Sequence, residues 1–153
     1  MTESKAVLLF ALLLLGFPGA CSDSTGPDDQ LSEARARWDS AGLTTYEYDF
    51  TMSCFCAPTA IEPVRVSVAN NMVVGAIRVS DGEALPDTDL PFFSTIDELF
   101  GRLQSSADQD PEVFDVVFNE ILGYPASANV DISFMIADEE YSFTADVLPL
   151  DTN

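Results

Sequence analysis

The sequence predicts an α+β fold, a mainly antiparallel sheet of about six strands with two helices on one face, in the order αβββ-αβββ. Three observations predict it. Two stretches place apolar residues at helical spacing, and each is followed by runs that alternate apolar and polar residues at a period of two. Two pairs of those runs are joined by short turn signals, Asn70-Asn71 and Asp138-Glu139, as antiparallel hairpins require. The chain has 153 residues, 47% of them apolar, which is enough for one buried core and too few for two.

The first helix follows Asp28 or Asp29 as N-cap. It carries Leu31, Ala34, Trp38 and Ala41 on one stripe and stops at Gly42. A strand then runs from Tyr46 to Cys56, with Tyr46, Tyr48, Phe50, Met52, Cys54 and Cys56 on the apolar side and Glu47, Asp49, Thr51 and Ser53 on the other. Val64, Val66 and Val68 form the next strand, and Asn70-Asn71 turns the chain into a third covering Met72 to Ser80. A two-residue loop sets Val68 against Val73 and Ala69 against Met72, and collects Val64, Val66, Val68, Val73, Ile77 and Val79 on one face. Residues 81–93 read as an acidic loop.

The second helix opens with a capping box, Thr95 and Glu98, and places Ile96, Leu99, Phe100 and Leu103 at i, i+3, i+4 and i+7. A break at residues 107–111 precedes a strand through Phe114, Val116 and Phe118, and Gly123 with Pro125 marks a fixed loop. The last hairpin sets Val130, Ile132, Phe134 and Ile136 against Tyr141, Phe143, Ala145 and Val147, with Ile136 facing Tyr141. The two halves share an order of elements without a residue-level repeat.

A leader precedes this domain. Residues 1–21, MTESKAVLLFALLLLGFPGAC, have a polar start with Lys5, an apolar run from Ala6 to Phe17, and Gly19-Ala20 ahead of Cys21. At about 1.5 Å per residue the run is too short to cross a hydrocarbon core of roughly 30 Å, so residues 1–20 are read as an export signal peptide. Gly19, Ala20 and Cys21 resemble the lipobox of bacterial lipoproteins, whose cysteine receives a diacylglycerol. The resemblance implies a lipoprotein lipidated at Cys21, with palmitate-type acyl chains as its membrane anchor. Cys21 and residues 22–29, SDSTGPDD, then form a flexible tether ahead of a single domain at residues 30–149. Ser22 after the cysteine implies, by proteobacterial sorting rules, the outer membrane of the cell envelope.

Charge excludes one large class of function. The chain carries 26 acidic residues against 6 Lys plus Arg, a net charge of −20, and beyond the leader its bases are Arg35, Arg37, Arg65, Arg78 and Arg102. Nucleic-acid binding needs clustered cations and is not expected. An acidic surface serves solubility, and also suits a basic partner.

Trp38, Tyr46-x-Tyr48, Cys54-Phe55-Cys56, Thr95-x-Asp97-x-Leu99-Phe100, Gly123-Tyr124-Pro125, Asp131 and Asp138-Glu139-Glu140, in that order, resemble a family of small bacterial lipoprotein or secreted domains of unknown function. The resemblance covers about residues 30–149 and implies no activity.

Catalytic equipment is sparse. There is no histidine, and the one lysine lies in the leader, so the usual general base and amine nucleophile are missing. Cys54 and Cys56 are read chiefly as packing or as a structural disulfide at the strand's end. A redox pair and half of a metal site are the other readings, and no metal or cofactor is assigned. The pairs Asp87/Asp89, Asp108/Asp110 and Glu139/Glu140 fall in loops where both acids ionise, with weak calcium binding as a lesser reading. Gly123, Tyr124 and Pro125 are a candidate recognition loop or a locked turn. The expectation is therefore a noncatalytic, protein-binding or inhibitor-like envelope lipoprotein with an envelope protein as partner. The alternative is a thiol-active envelope protein using Cys54 and Cys56.

Overall fold

The computed structural model describes residues 26–54, 62–135 and 139–149. Helix α1 (Pro27–Ala41) is followed by strands β1 (Tyr46–Cys54), β2 (Val64–Ala69) and β3 (Met72–Arg78), a 3-10 helix (Asp87–Phe92), helix α2 (Ile96–Ala107), and strands β4 (Val113–Phe118), β5 (Pro125–Asp131) and β6 (Tyr141–Val147). The six strands form one antiparallel sheet in the order β3-β2-β1-β6-β5-β4. The fold is α+β, as the two periodicities predict. Among the described residues no helix is long and apolar enough to cross a membrane.

One face of the sheet holds the core. Tyr46, Tyr48 and Phe50 of β1, the three valines of β2, Val130 of β5, and Phe143 and Ala145 of β6 are buried with Leu31, Ala34, Trp38, Ile96, Leu99, Phe100 and Leu103 of the helices. Aromatic rings run down the middle. Trp38 meets Tyr46 edge-on at 5.2 Å, and Phe50 lies 5.9 Å from Phe143. Each such pair adds about 0.5–1.5 kcal/mol beyond the area it buries. The phenols are not wasted as polar groups: the Tyr46 hydroxyl accepts from the Ile96 amide at 2.9 Å and the Tyr48 hydroxyl donates to the Ser94 carbonyl. Two core tyrosines thus hold the start of α2, where backbone groups lack partners within the helix. The capping box of Thr95 and Glu98 is present in full.

The structure corrects the sequence reading at four places. Helix α1 begins at Pro27 behind Gly26, so Asp28 and Asp29 lie in its first turn, where they face the positive end of the helix dipole. In β3, Asn70 and Asn71 both take positive φ (52° and 60°) and Val68 pairs with Val73 as expected, yet Ser67 then pairs with Gly75. Val74 is an extra residue, a β-bulge, and it reverses the faces beyond it. Ala76 is buried, while Ile77 and Val79 are exposed. Residues 81–93 are more than a loop: Ala84 bridges back to Ile77, and Asp87–Phe92 is a 3-10 helix that delivers buried Phe93.

The fourth correction concerns the last hairpin, where Val130, not Ile136, pairs with Tyr141. The preceding turn fixes β5 from its other end: Gly123 has φ +82°, and bonds between Asn119 and the Gly123–Tyr124 backbone close the loop and set Pro125 opposite Phe118. Seven residues later the strand is spent, leaving Phe134 and Met135 exposed, while Ile136 and Asp138 lie outside the described residues.

The helices run antiparallel. Arg35 of α1 bonds Asp97 near the start of α2, and Asp28 meets Gln104 near its end. The chain therefore enters at Gly26 beside the C-terminus of α2, at the end of the sheet where β4 begins and β1 finishes.

Candidate functional site

Both helices pack on one face, so the opposite face of the sheet is open. Strand pairing arranges its outward residues in rows that cross the strands. Ser67 and Glu47 make one row; Arg65, Asp49 and Asp146 the next; then Thr51, Thr144 and Ser127; then Ser53, Ser142 and Asn129, with Asp115 beyond. Most of these side chains are short hydroxyls, amides or carboxylates. Ordering them costs little, because few rotamers are lost.

Charge on this face is unevenly matched. Asp49 and Asp146 are direct cross-strand partners, an arrangement of like charges that destabilises a sheet. Arg65 answers only one of them, with Nε 2.8 Å from Asp49 Oδ1 and Nη2 3.0 Å from Oδ2. That forked hydrogen bond holds the guanidinium charged, raising its pKa. Asp146 accepts instead from the Tyr124 hydroxyl at 3.2 Å, and Glu47 accepts from Ser67 Oγ at 2.7 Å. Among the described residues Arg65 is the cation of this face, set against Glu47, Asp49, Asp115 and Asp146.

A trough of about 650 Å³ lies over the start of β1 and the end of β2. Its floor carries Glu47, Arg65 and Ser67. Val74 stands on one side and Leu148-Pro149 on the other, where the chain leaving β6 stays hydrogen-bonded to Glu47 through the Leu148 amide. Val74 is the extra residue of the bulge, so Ser67 has Gly75 as its cross-strand partner and Val74 stands exposed beside that pair.

Among the described residues, none of the site residues singled out from sequence lines the trough. Cys21 and Cys56 lie outside the described residues, as does the Cys54 side chain; the Cys54 backbone ends β1 opposite Tyr141. Gly123, Tyr124 and Pro125 are buried. A Cβ on Gly123 would sit 2.3 Å from the Ala34 carbonyl oxygen, and the Tyr124 ring packs edge-on to Trp38 at 6.3 Å. Burial pushes the Tyr124 hydroxyl pKa up, and the Asp146 carboxylate beside it adds to this. This segment fastens α1 to the sheet. The pairs Asp87/Asp89, Asp108/Asp110 and Glu139/Glu140 lie in the 3-10 helix, after α2 and before β6, and none of them lines the trough.

Glu47, Asp49, Thr51 and Ser53 appeared in the sequence only as the polar half of an alternation. The signal that joins them to Arg65, Asp146 and Thr144 is strand order, which periodicity does not carry.

In comparison with known proteins, the family model described as a family of unknown function, DUF6174, matches residues 30–149. No curated protein and no solved structure matches.

Proposed function

The chain belongs to the DUF6174 family of unknown function, and from that premise we propose that it is a noncatalytic, lipid-anchored module of the bacterial cell envelope that binds another protein through the open face of its sheet. The observation that carries this reading is the face itself: rows of short polar side chains centred on Asp49, Asp146, Thr51 and Thr144, uncovered by any described element. A broad, low-entropy polar surface backed by a rigid sheet suits a macromolecular partner. The leader, the lipobox-like Gly19-Ala20-Cys21 and the tether supply the location.

The geometry of attachment agrees with this role. The tether joins the domain at Gly26, beside the end of α2, whereas the trough lies at the start of β1. Eight residue steps along β1 separate those ends, roughly 26 Å at about 3.3 Å per residue. The trough therefore points away from the anchor.

Photo-crosslinking in intact cells tests the proposal. A crosslinker at Thr144 is expected to capture a defined protein, while one at Ser40 on the exposed side of α1 captures none. Equal capture from both positions, or none from Thr144 above background, overturns it.

A further inference from the structure

Resting on the binding role proposed above, we infer that the trough receives an extended basic segment of the partner, with an Arg or Lys side chain lying along its floor past Glu47 and its charged head reaching Asp146, which stands beside the trough on β6.

Shape and charge together select this occupant. The walls, Val74 and Leu148-Pro149, are apolar, and Val74 is 54% exposed. The floor is polar. A purely apolar segment would bury Glu47 and Ser67 without new partners, which costs free energy. An anionic segment would add to the repulsion already present between Asp49 and Asp146. A second copy of this chain is disfavoured by its net charge of −20. A Lys or Arg side chain satisfies both surfaces, its methylene stem against the walls and its charged head at the carboxylates. Glu47 and Asp146 are diagonal neighbours across β1 and β6, because Asp49 faces Asp146 and the Leu148 amide bonds the Glu47 carbonyl. Such neighbours lie roughly 7–8 Å apart, within the span of one cationic head group. Arg65 on Asp49 shows that this floor accommodates a forked guanidinium.

The probe is a short fluorescent peptide alternating Arg and Val, titrated into the full-length protein and followed by anisotropy. Three variants are compared after thermal melting shows each to be folded. Glu47→Gln/Asp146→Asn removes one charge on the trough floor and one beside it, Asp87→Asn/Asp89→Asn removes two in the 3-10 helix, and Val74→Ser lowers a wall without changing charge. Binding is expected to weaken about tenfold in the first variant and measurably in Val74→Ser, but less than twofold in the second. Equal weakening by the two charge variants would show attraction to acidity at large and overturn the inference, as would absence of binding. If the Thr144 crosslinker still captures a partner while the peptide ignores the trough, the binding role stands and only the basic segment is lost.

Discussion

Gly123 is the residue whose identity is most tightly dictated. Its φ of +82° lies where side chains are strained, and an added Cβ would meet the Ala34 carbonyl oxygen at 2.3 Å and Arg37 Cβ at 2.7 Å. The α1 backbone cannot yield without moving Trp38. Gly123→Ala is expected to cost roughly 2–4 kcal/mol, measured by urea denaturation, with helix α1 loosened from the sheet. Tyr46 makes a second point at this scale. Burial, first among its causes, pushes its hydroxyl from the ordinary value of 10 up to about 12, partly offset by the bond from the Ile96 amide. Tyr48 is shifted in the same direction by burial. A raised folded-state pKa means that the unfolded chain loses the proton first. The stability is complete below pH 10 and falls as pH climbs through about 12. Alkaline unfolding followed by far-UV circular dichroism should begin in that interval, and Tyr46→Phe, though less stable at pH 7, should show a shallower alkaline decline.

At the scale of elements, the bulge at Val74 decides which side chains of β3 reach the core. Strict alternation from Val73 would bury Ile77 and Val79. One extra residue buries Ala76 instead and turns Ile77 toward Arg65. The two arrangements are told apart by substitution. Ile77→Thr should change stability by less than about 0.5 kcal/mol, whereas Ala76→Asp should cost about 3 kcal/mol or more by placing a charge in the core. The reverse ranking in thermal melts would restore the unbulged register. The last hairpin shows the same physics with another cause. Both candidate pairings of β5 with β6 keep apolar residues on one side, so alternation alone cannot choose between them. The Gly123 turn chooses, by starting β5 at Pro125. Helix α2, in contrast, was readable in full, because its capping box and apolar stripe are local signals that the tertiary structure only had to accept.

For the whole molecule, the separation of the chain's entry at Gly26 from the trough is the property from which the proposed function would follow. If Cys21 carries the lipid, the chain enters at Gly26 and presents the start of β1 outward. Cys21→Ser should then release the protein from the membrane fraction while leaving its thermal melt unchanged, since the described elements begin at the α1 N-cap. Retention of Cys21→Ser in washed membranes would contradict lipid anchoring. The halves of the molecule also prove unlike in arrangement. With β1 beside β6 in the order β3-β2-β1-β6-β5-β4, β1 and β4 run in opposite directions, so the shared order of elements does not carry a simple side-by-side repeat.

The sequence by itself determined the fold class, both helices, the Asn70-Asn71 hairpin and which side of β1 is buried. All of these are written in spacings of four residues or fewer, and local periodicity is set by backbone geometry that neighbouring residues share. Tertiary structure alone decided that Val74 bulges, that β5 ends at Asp131, and that Asp49, Arg65 and Asp146 stand side by side. Those facts join strands far apart in the chain. Pairing free energy depends on which partner lies across the sheet, a quantity that no single stretch of residues contains.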